Sequence, residues 1–248
     1  MADSTLPIGS AIDLTPSSEV RGTWLDQVTD WVTTVDHKKI GLMYIGYALI
    51  FLLVGGFEAI LLRIQLMVPN NNFLSPDVFN RLFTMHGTTM VFFMGMPLVI
   101  GFANYLVPLM IGARDMAFPR MNAFAFWMTA LGGLMMYYSF IGGVGLQGAG
   151  SAPDVTWWAY APLTEPAFSR GHSTDYWALS LIVSGFGTIG AAVNIIATTL
   201  CMRCKGMTLG RMPLLPWLYL VVSGMILLAI SPLTAAQIDR KSVCRERV

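Results

Sequence analysis

The chain has 248 residues, 55% of them hydrophobic and only 12% charged, with a formal net charge of +1 and a mean hydropathy of +0.61. A water-soluble domain carries about 25% charged residues, so this composition excludes an ordinary soluble globule and points to a membrane protein with the lipid bilayer as its solvent. The near-zero charge gives no nucleic-acid surface, and three cysteines, two of them in "CMRC" (Cys201, Cys204), make no disulfide framework and read as ordinary thiols.

Residues 1–39 hold Asp, Ser, Pro and Thr without an apolar core, so no cleavable signal peptide of the usual form is expected, and they read as a cytoplasmic N-terminal segment. Five apolar windows of bilayer-spanning length follow: Ile40–Leu62, Phe83–Leu106, Phe124–Leu146, Tyr176–Cys201 and Leu214–Ala236. The expected fold is all-α, a polytopic transmembrane helix bundle occupying residues 40–238 as one domain. Lys38, Lys39, Arg114, Arg120, Arg203, Lys205 and Arg211 fall on one side of these spans, and Arg63, Arg81 and Arg170 on the other. Positive charge gathers on the cytoplasmic side, so the N-terminus is expected inside and the Trp-bearing connection Gln147–Asp175 outside. The tail "DRKSVCRERV" breaks this pattern, because five crossings carry Arg240, Lys241, Arg245 and Arg247 to the outer side. Residues 239–248 are therefore expected to be foreign to the rest of the chain.

Polar side chains inside spans are costly and mark cofactors, ion paths or helix contacts. His86, in "LFTMHGTTMVFF", opens the second span, and Asn104 follows 18 residues later. That interval is five α-helical turns, which places both on one face about 27 Å apart. Asp115 lies in the turn after the second span, with Asn122, Asn194 and Tyr44 at the same expected depth. Amides and a phenol can hold a file of water, and a carboxylate at its mouth can collect protons. Each feature also has a structural explanation. A helical histidine can be a hydrogen-bonded packing residue, asparagines can bridge helices, Asp115 can pair with Arg114 or Arg120, and the glycines of "GGFEA" and "LGGLMM" can serve close packing. Met and aromatic richness is lipid-facing or core material. The joint arrangement is what points to function.

The stretch "TMHGTTMVFFMGMPLVIGFANYLVPLMIGARDMAFPRMNAFAFW" resembles the second and third helices of subunit I of the haem–copper oxygen reductases, in their cytochrome c oxidase branch. "DHKKIGLMY", "LLRIQL", "TWWAYAPL" and "GAAVNIIATTL" match in the same order, so the resemblance covers about residues 30–240. It implies that His86 is an axial ligand of a low-spin haem, commonly haem a, the coordinate bond offsetting the cost of burying an imidazole. It implies that Arg63 interacts with a substituent of that haem and that Trp157 lies near its propionates. It makes Asp115 the mouth of the family's D proton pathway, with Asn104, Asn122 and Asn194 as water-holding asparagines and Tyr44 nearby. The implied reaction is reduction of dioxygen to water with electrons from cytochrome c, coupled to proton pumping, in a bacterial plasma membrane. The implied partners are a copper-bearing subunit II and a subunit III.

The sequence also departs from the family. Relatives have twelve helices, and those beyond the fifth supply the second low-spin haem ligand and the ligands of the high-spin haem and copper. The 248 residues alone are therefore expected to show no oxygen consumption. "KSVCRERV" resembles nothing in the family, which suggests an incomplete or frame-disturbed reading of a longer gene. Ala123 and Ala125 stand where relatives often carry Asn and Ser, so the upper proton path is expected to be arranged differently. Gln65 replaces a glutamate that helps hold a structural cation in many relatives, which puts that cation site in doubt. Quinol oxidases share much of the second-span pattern, whereas nitric oxide reductases lack the Asp115 and asparagine set. A non-catalytic haem-binding or structural membrane fragment is the remaining alternative.

Overall fold

The computed structural model describes residues 23–142, 152–160, 162–165, 168–169 and 172–245. The chain divides into two compact units, residues 1–33 and 34–248. In the first, helix α1 (Trp24–Val32) starts at Thr23, whose backbone N–H donates to Asp26 Oδ2 at 2.7 Å, satisfying one of the amides that a helix start leaves open.

The second unit contains α2 (His37–Gln65), α3 (Pro76–Thr88), a π-helical segment (Thr89–Gly95), α4 (Met96–Ile111), α5 (Pro119–Gly142), α6 (Ser173–Cys201) and α7 (Leu214–Arg245). No strand occurs among the described residues. Asp36 caps α2 by accepting from the Lys38 amide at 2.9 Å. Ser75 followed by Pro76 opens α3, and Gly112 closes α4 in the left-handed conformation at φ 71°.

The chain is an all-helical transmembrane bundle. Among the described residues four helices are long and apolar enough to cross a membrane: His37–Gln65, the continuous Pro76–Ile111, Ser173–Cys201 and Leu214–Ile238. The expected span Phe124–Leu146 begins within α5 (Pro119–Gly142), and its residues 143–146 lie outside the described residues. A Cβ on Gly132 would lie 2.8 Å from the Ser180 carbonyl oxygen, so α5 and α6 touch backbone to backbone. Close approach through small residues replaces the hydrophobic drive that lipid cannot supply between helices. Of the "GGFEA" glycines, Gly55 is used in the same way, against Met90 and Thr89, whereas Gly56 faces open space.

Helix α7 runs past Ala236, where the fifth span was expected to end, to Arg245. Residues 246–248 and Arg170 lie outside the described residues.

The π segment has a local cause. Pro97 has no N–H, and its ring excludes the carbonyl four residues earlier. The helix widens ahead of it, with the Met96 N–H reaching back five residues to the Val91 carbonyl. The uniform 3.6-residue phase that put His86 and Asn104 on one face is therefore interrupted between them. Apolar packing follows the bundle's length: Phe51, Met85, Phe93, Met136 and Trp177 cluster nearest His86, and Val107, Ile111, Met116 and Ile195 at the far end of α4.

Candidate functional site

Two polar constellations lie at opposite ends of the α3–α4 helix. At the first, His86 Nδ1 is 2.9 Å from the Gly55 carbonyl oxygen of α2. A carbonyl can only accept, so Nδ1 carries the hydrogen, and Nε2 is left with its lone pair and no partner among the described residues. That is the donor arrangement of a metal-binding imidazole: the second ring nitrogen fixed by a backbone carbonyl, the first available to the metal. The residues present therefore fit an iron ligated through His86 Nε2.

The threonine hydroxyls and the indole beside His86 have partners. Thr84 Oγ1 accepts from the Thr156 amide at 2.9 Å, and the Trp177 indole N–H donates to Thr88 Oγ1 at 3.0 Å. The first of these bonds pins the loop segment 152–160 beside α3. Trp157 consequently lies flush on Gly87, where an added Cβ would meet the indole at 2.9 Å. Thr156 and Ala159 hold left-handed φ values of 61° and 50°, rare for residues with a side chain, so tertiary contacts dictate the loop's course. The structure thus brings Trp157 against the residue that follows His86. Arg63, in contrast, stands exposed on α2 in an open groove with Ile60, Ile64 and Met67.

Glu58 was not singled out from the sequence, although a carboxylate in a span is itself a signal. It is 5% exposed, its Oε1 accepts from the Tyr137 hydroxyl at 3.1 Å, and Oε2 has no partner among the described residues. Because Tyr137 has one proton to give, Thr89 Oγ1, at 2.7 Å, donates to Tyr137.

At the second constellation Asp115 Oδ1 lies 3.1 Å from His37 Nδ1 and accepts from the Met116 amide at 2.7 Å. Its partner is thus the buried His37 and neither Arg114 nor Arg120. His37 escaped the sequence reading because 78 residues separate it from Asp115. Asn194 is a clamp: its Oδ1 accepts from the Phe118 amide at 2.9 Å and its Nδ2 donates to the Phe118 carbonyl at 3.1 Å. Together with the bond from the Ala117 amide to Thr198 Oγ1, this ties α6 to the turn that carries Asp115.

Asn104 and Asn122 behave differently. Both are fully buried, and neither amide atom of either residue has a partner among the described residues. The Tyr44 hydroxyl, Thr199 Oγ1 and His37 Nε2 share that condition. Each unmet group costs about 1–3 kcal/mol, a penalty that ordered water normally removes. Gln65 at the other end of α2 uses its whole amide on the following loop, donating to the Asn71 carbonyl at 2.5 Å and accepting from the Leu74 amide at 2.6 Å. The loop is therefore held by hydrogen bonds from Gln65. Among the described residues no group of three or more His, Cys, Asp or Glu side chains is placed to hold a metal ion.

Residues 39–242 match the family model described as cytochrome c and quinol oxidase polypeptide I. The chain is 44% identical over 214 residues to cytochrome c oxidase subunit 1 of Corynebacterium glutamicum, covering 85% of this chain and 36% of that protein. It is 48% identical over 210 residues to cytochrome c oxidase subunit 1 of Bacillus sp. strain PS3, covering 84% and 33%. It is 43% identical over 208 residues to quinol oxidase subunit 1 of Bacillus subtilis, covering 84% and 31%. The chain spans about a third of the length of these curated relatives.

Proposed function

The chain belongs to the cytochrome c and quinol oxidase polypeptide I family, and we propose that it forms the part of a terminal oxidase's subunit I that binds a low-spin haem through His86 and admits protons at Asp115. Membership implies haem and copper in general and a multisubunit membrane complex. The finer reading is an enzyme that reduces dioxygen to water with electrons from cytochrome c and pumps protons across a bacterial plasma membrane, with the N-terminus inside. The partners in that reading are a copper-bearing subunit II and a subunit III.

The observation that carries the proposal is the orientation of His86, whose Nδ1–H is committed to Gly55 and whose Nε2 is left available. A bound haem would supply reversible one-electron storage at that nitrogen. Gly55 fixes the ring and its tautomer, and Trp157, packed on Gly87, closes the chain beside it. Asp115, partly exposed beside His37, is suited to take protons from water. Tyr44, Asn104, Asn122 and Thr199 offer buried donors and acceptors along which water could carry those protons inward.

Replacing His86 by Ala in the complete subunit tests the haem assignment. The low-spin haem signal is expected to vanish from the reduced-minus-oxidised spectrum, and its survival would refute the role given to His86. The quinol reading is favoured by a specific finding, the relatives named quinol oxidase subunit 1 at 43% identity. Assaying the purified oxidase with reduced cytochrome c and with a quinol decides between the donors.

A further inference from the structure

We propose that Glu58 is a redox-linked proton acceptor, its carboxylate taking up one proton when the iron ligated by His86 gains one electron and releasing it on reoxidation. The proposal rests on the reading of His86 as a haem ligand. It is carried by a part-buried hydrogen-bond chain, Thr89 to Tyr137 to Glu58, that ends in a buried Oε2 without a partner among the described residues. Both ends of that chain stand close along the helices to the Gly55–His86 pair. Glu58 follows Gly55, the acceptor of the His86 N–H, by three residues on α2, and Thr89 follows His86 by three residues. A helical rise of about 4.5 Å therefore separates each end from a member of the Gly55–His86 pair.

In so dry a place an unbalanced charge is expensive, and charges a turn or two apart interact strongly in a low dielectric. The arriving electron, supplied by an external reductant, removes one unit of positive charge from the iron. A proton drawn from water forms an O–H bond at the Glu58 carboxylate and restores the local balance, and no other bond is made or broken.

Few other groups could take this part. Tyr137 on α5 faces Glu58 directly, and its proton is committed to Oε1. From α3 there is His86, with Arg81 and Asp77 five and nine residues before it. The π segment has no titratable residue, and the one on α4, Tyr105, packs beside Gly41, about 25 Å along α2 from Glu58. On α2 itself Arg63 is exposed five residues further on, and Tyr47 lies three turns back.

The test uses the complete oxidase: redox-difference infrared spectra in light and heavy water, and titration of the low-spin haem's midpoint potential against pH. Reduction is expected to produce a carboxylic acid carbonyl band that shifts in heavy water, together with a potential that falls as pH rises. Glu58→Gln should abolish the band and flatten the pH dependence. Tyr137→Phe should keep the band and move it, because the hydrogen bond to Oε1 is lost. A Glu58→Gln enzyme with the parent's band and pH dependence overturns the proposal. If the Gln variant does not assemble, a parent without the band, or a Tyr137→Phe enzyme with the band unmoved, overturns it equally. Failure of the underlying reading looks different: His86→Ala would then retain the low-spin haem, whereas failure of this proposal leaves the haem lost in His86→Ala and the potential unchanged in Glu58→Gln.

Discussion

The two ends of the α3–α4 helix treat their polar groups in opposite ways. Around His86, Thr84, Thr88 and Trp177 have partners and the imidazole's Nδ1 is fixed, so one nitrogen is presented in one orientation, and Glu58 Oε2 is the exception among the neighbouring polar atoms. Around Asp115 a series of buried polar atoms, on His37, Tyr44, Asn104, Asn122 and Thr199, is left unpaired. A satisfied network gives rigidity, which suits a ligand that must hold its geometry through a change of charge. An unsatisfied one gives sites for water, which suits proton movement and costs stability. Asn194 shows that the contrast is not one of residue type, because the same amide on α6 is fully used as a clamp.

That contrast can be broken by substitution. Asn194→Leu leaves the Phe118 amide unpaired, while its carbonyl keeps the Asn122 N–H, so thermal unfolding of the complete subunit should show a loss of about 1–3 kcal/mol. Equal stability would mean that the turn holding Asp115 is fixed elsewhere. Gly87→Val drives a side chain into the Trp157 indole, and overpacking of this kind costs about 1–3 kcal/mol. The low-spin haem band should shift with it, because Trp157 must move from beside His86. An unmoved band would separate Trp157 from the haem environment.

Asn122→Leu should go the other way. It removes two unmet polar atoms, so stability should hold or rise by about 1 kcal/mol while oxygen turnover falls. A clear loss of stability with full turnover would make Asn122 a helix bridge. His37→Ala should have the smallest effect, a slowing of turnover short of that caused by loss of Asp115 itself, read from steady-state oxygen uptake.

Much of the bundle was legible because a bilayer imposes about 20 apolar residues per crossing, and among the described residues four helices meet that length and apolarity. Helix α5 was legible in position and in the close-packing role of Gly132, whereas its partner, the Ser180 backbone of α6, shows only in the folded bundle. The phase between His86 and Asn104 was misjudged because a period argument assumes an unbroken α-helix, and Pro97 widens the turn ahead of it. Among the site residues, His86, Asp115 and the asparagines could be read as polar residues in or beside spans. Which asparagines have partners could not, because the partners of Asn194 belong to the Phe118 backbone 76 residues away. His37 was invisible for the same reason, whereas Glu58 stood in plain view in "GGFEA" behind its glycines.

The division of labour between the two ends is tested most directly by steady-state oxygen uptake of the Asp115→Asn oxidase, with the reducibility of its low-spin haem recorded on the same sample. The substitution preserves volume and hydrogen bonding and removes the proton-collecting charge. Losing a positioned proton-transfer group costs about 10²–10⁴-fold, so turnover should fall steeply while the haem at His86 reduces as in the parent. Unchanged turnover and proton pumping would contradict the account: Asp115 would then be no more than the ion-pair partner of His37, and the unpaired amides of Asn104 and Asn122 would need another explanation.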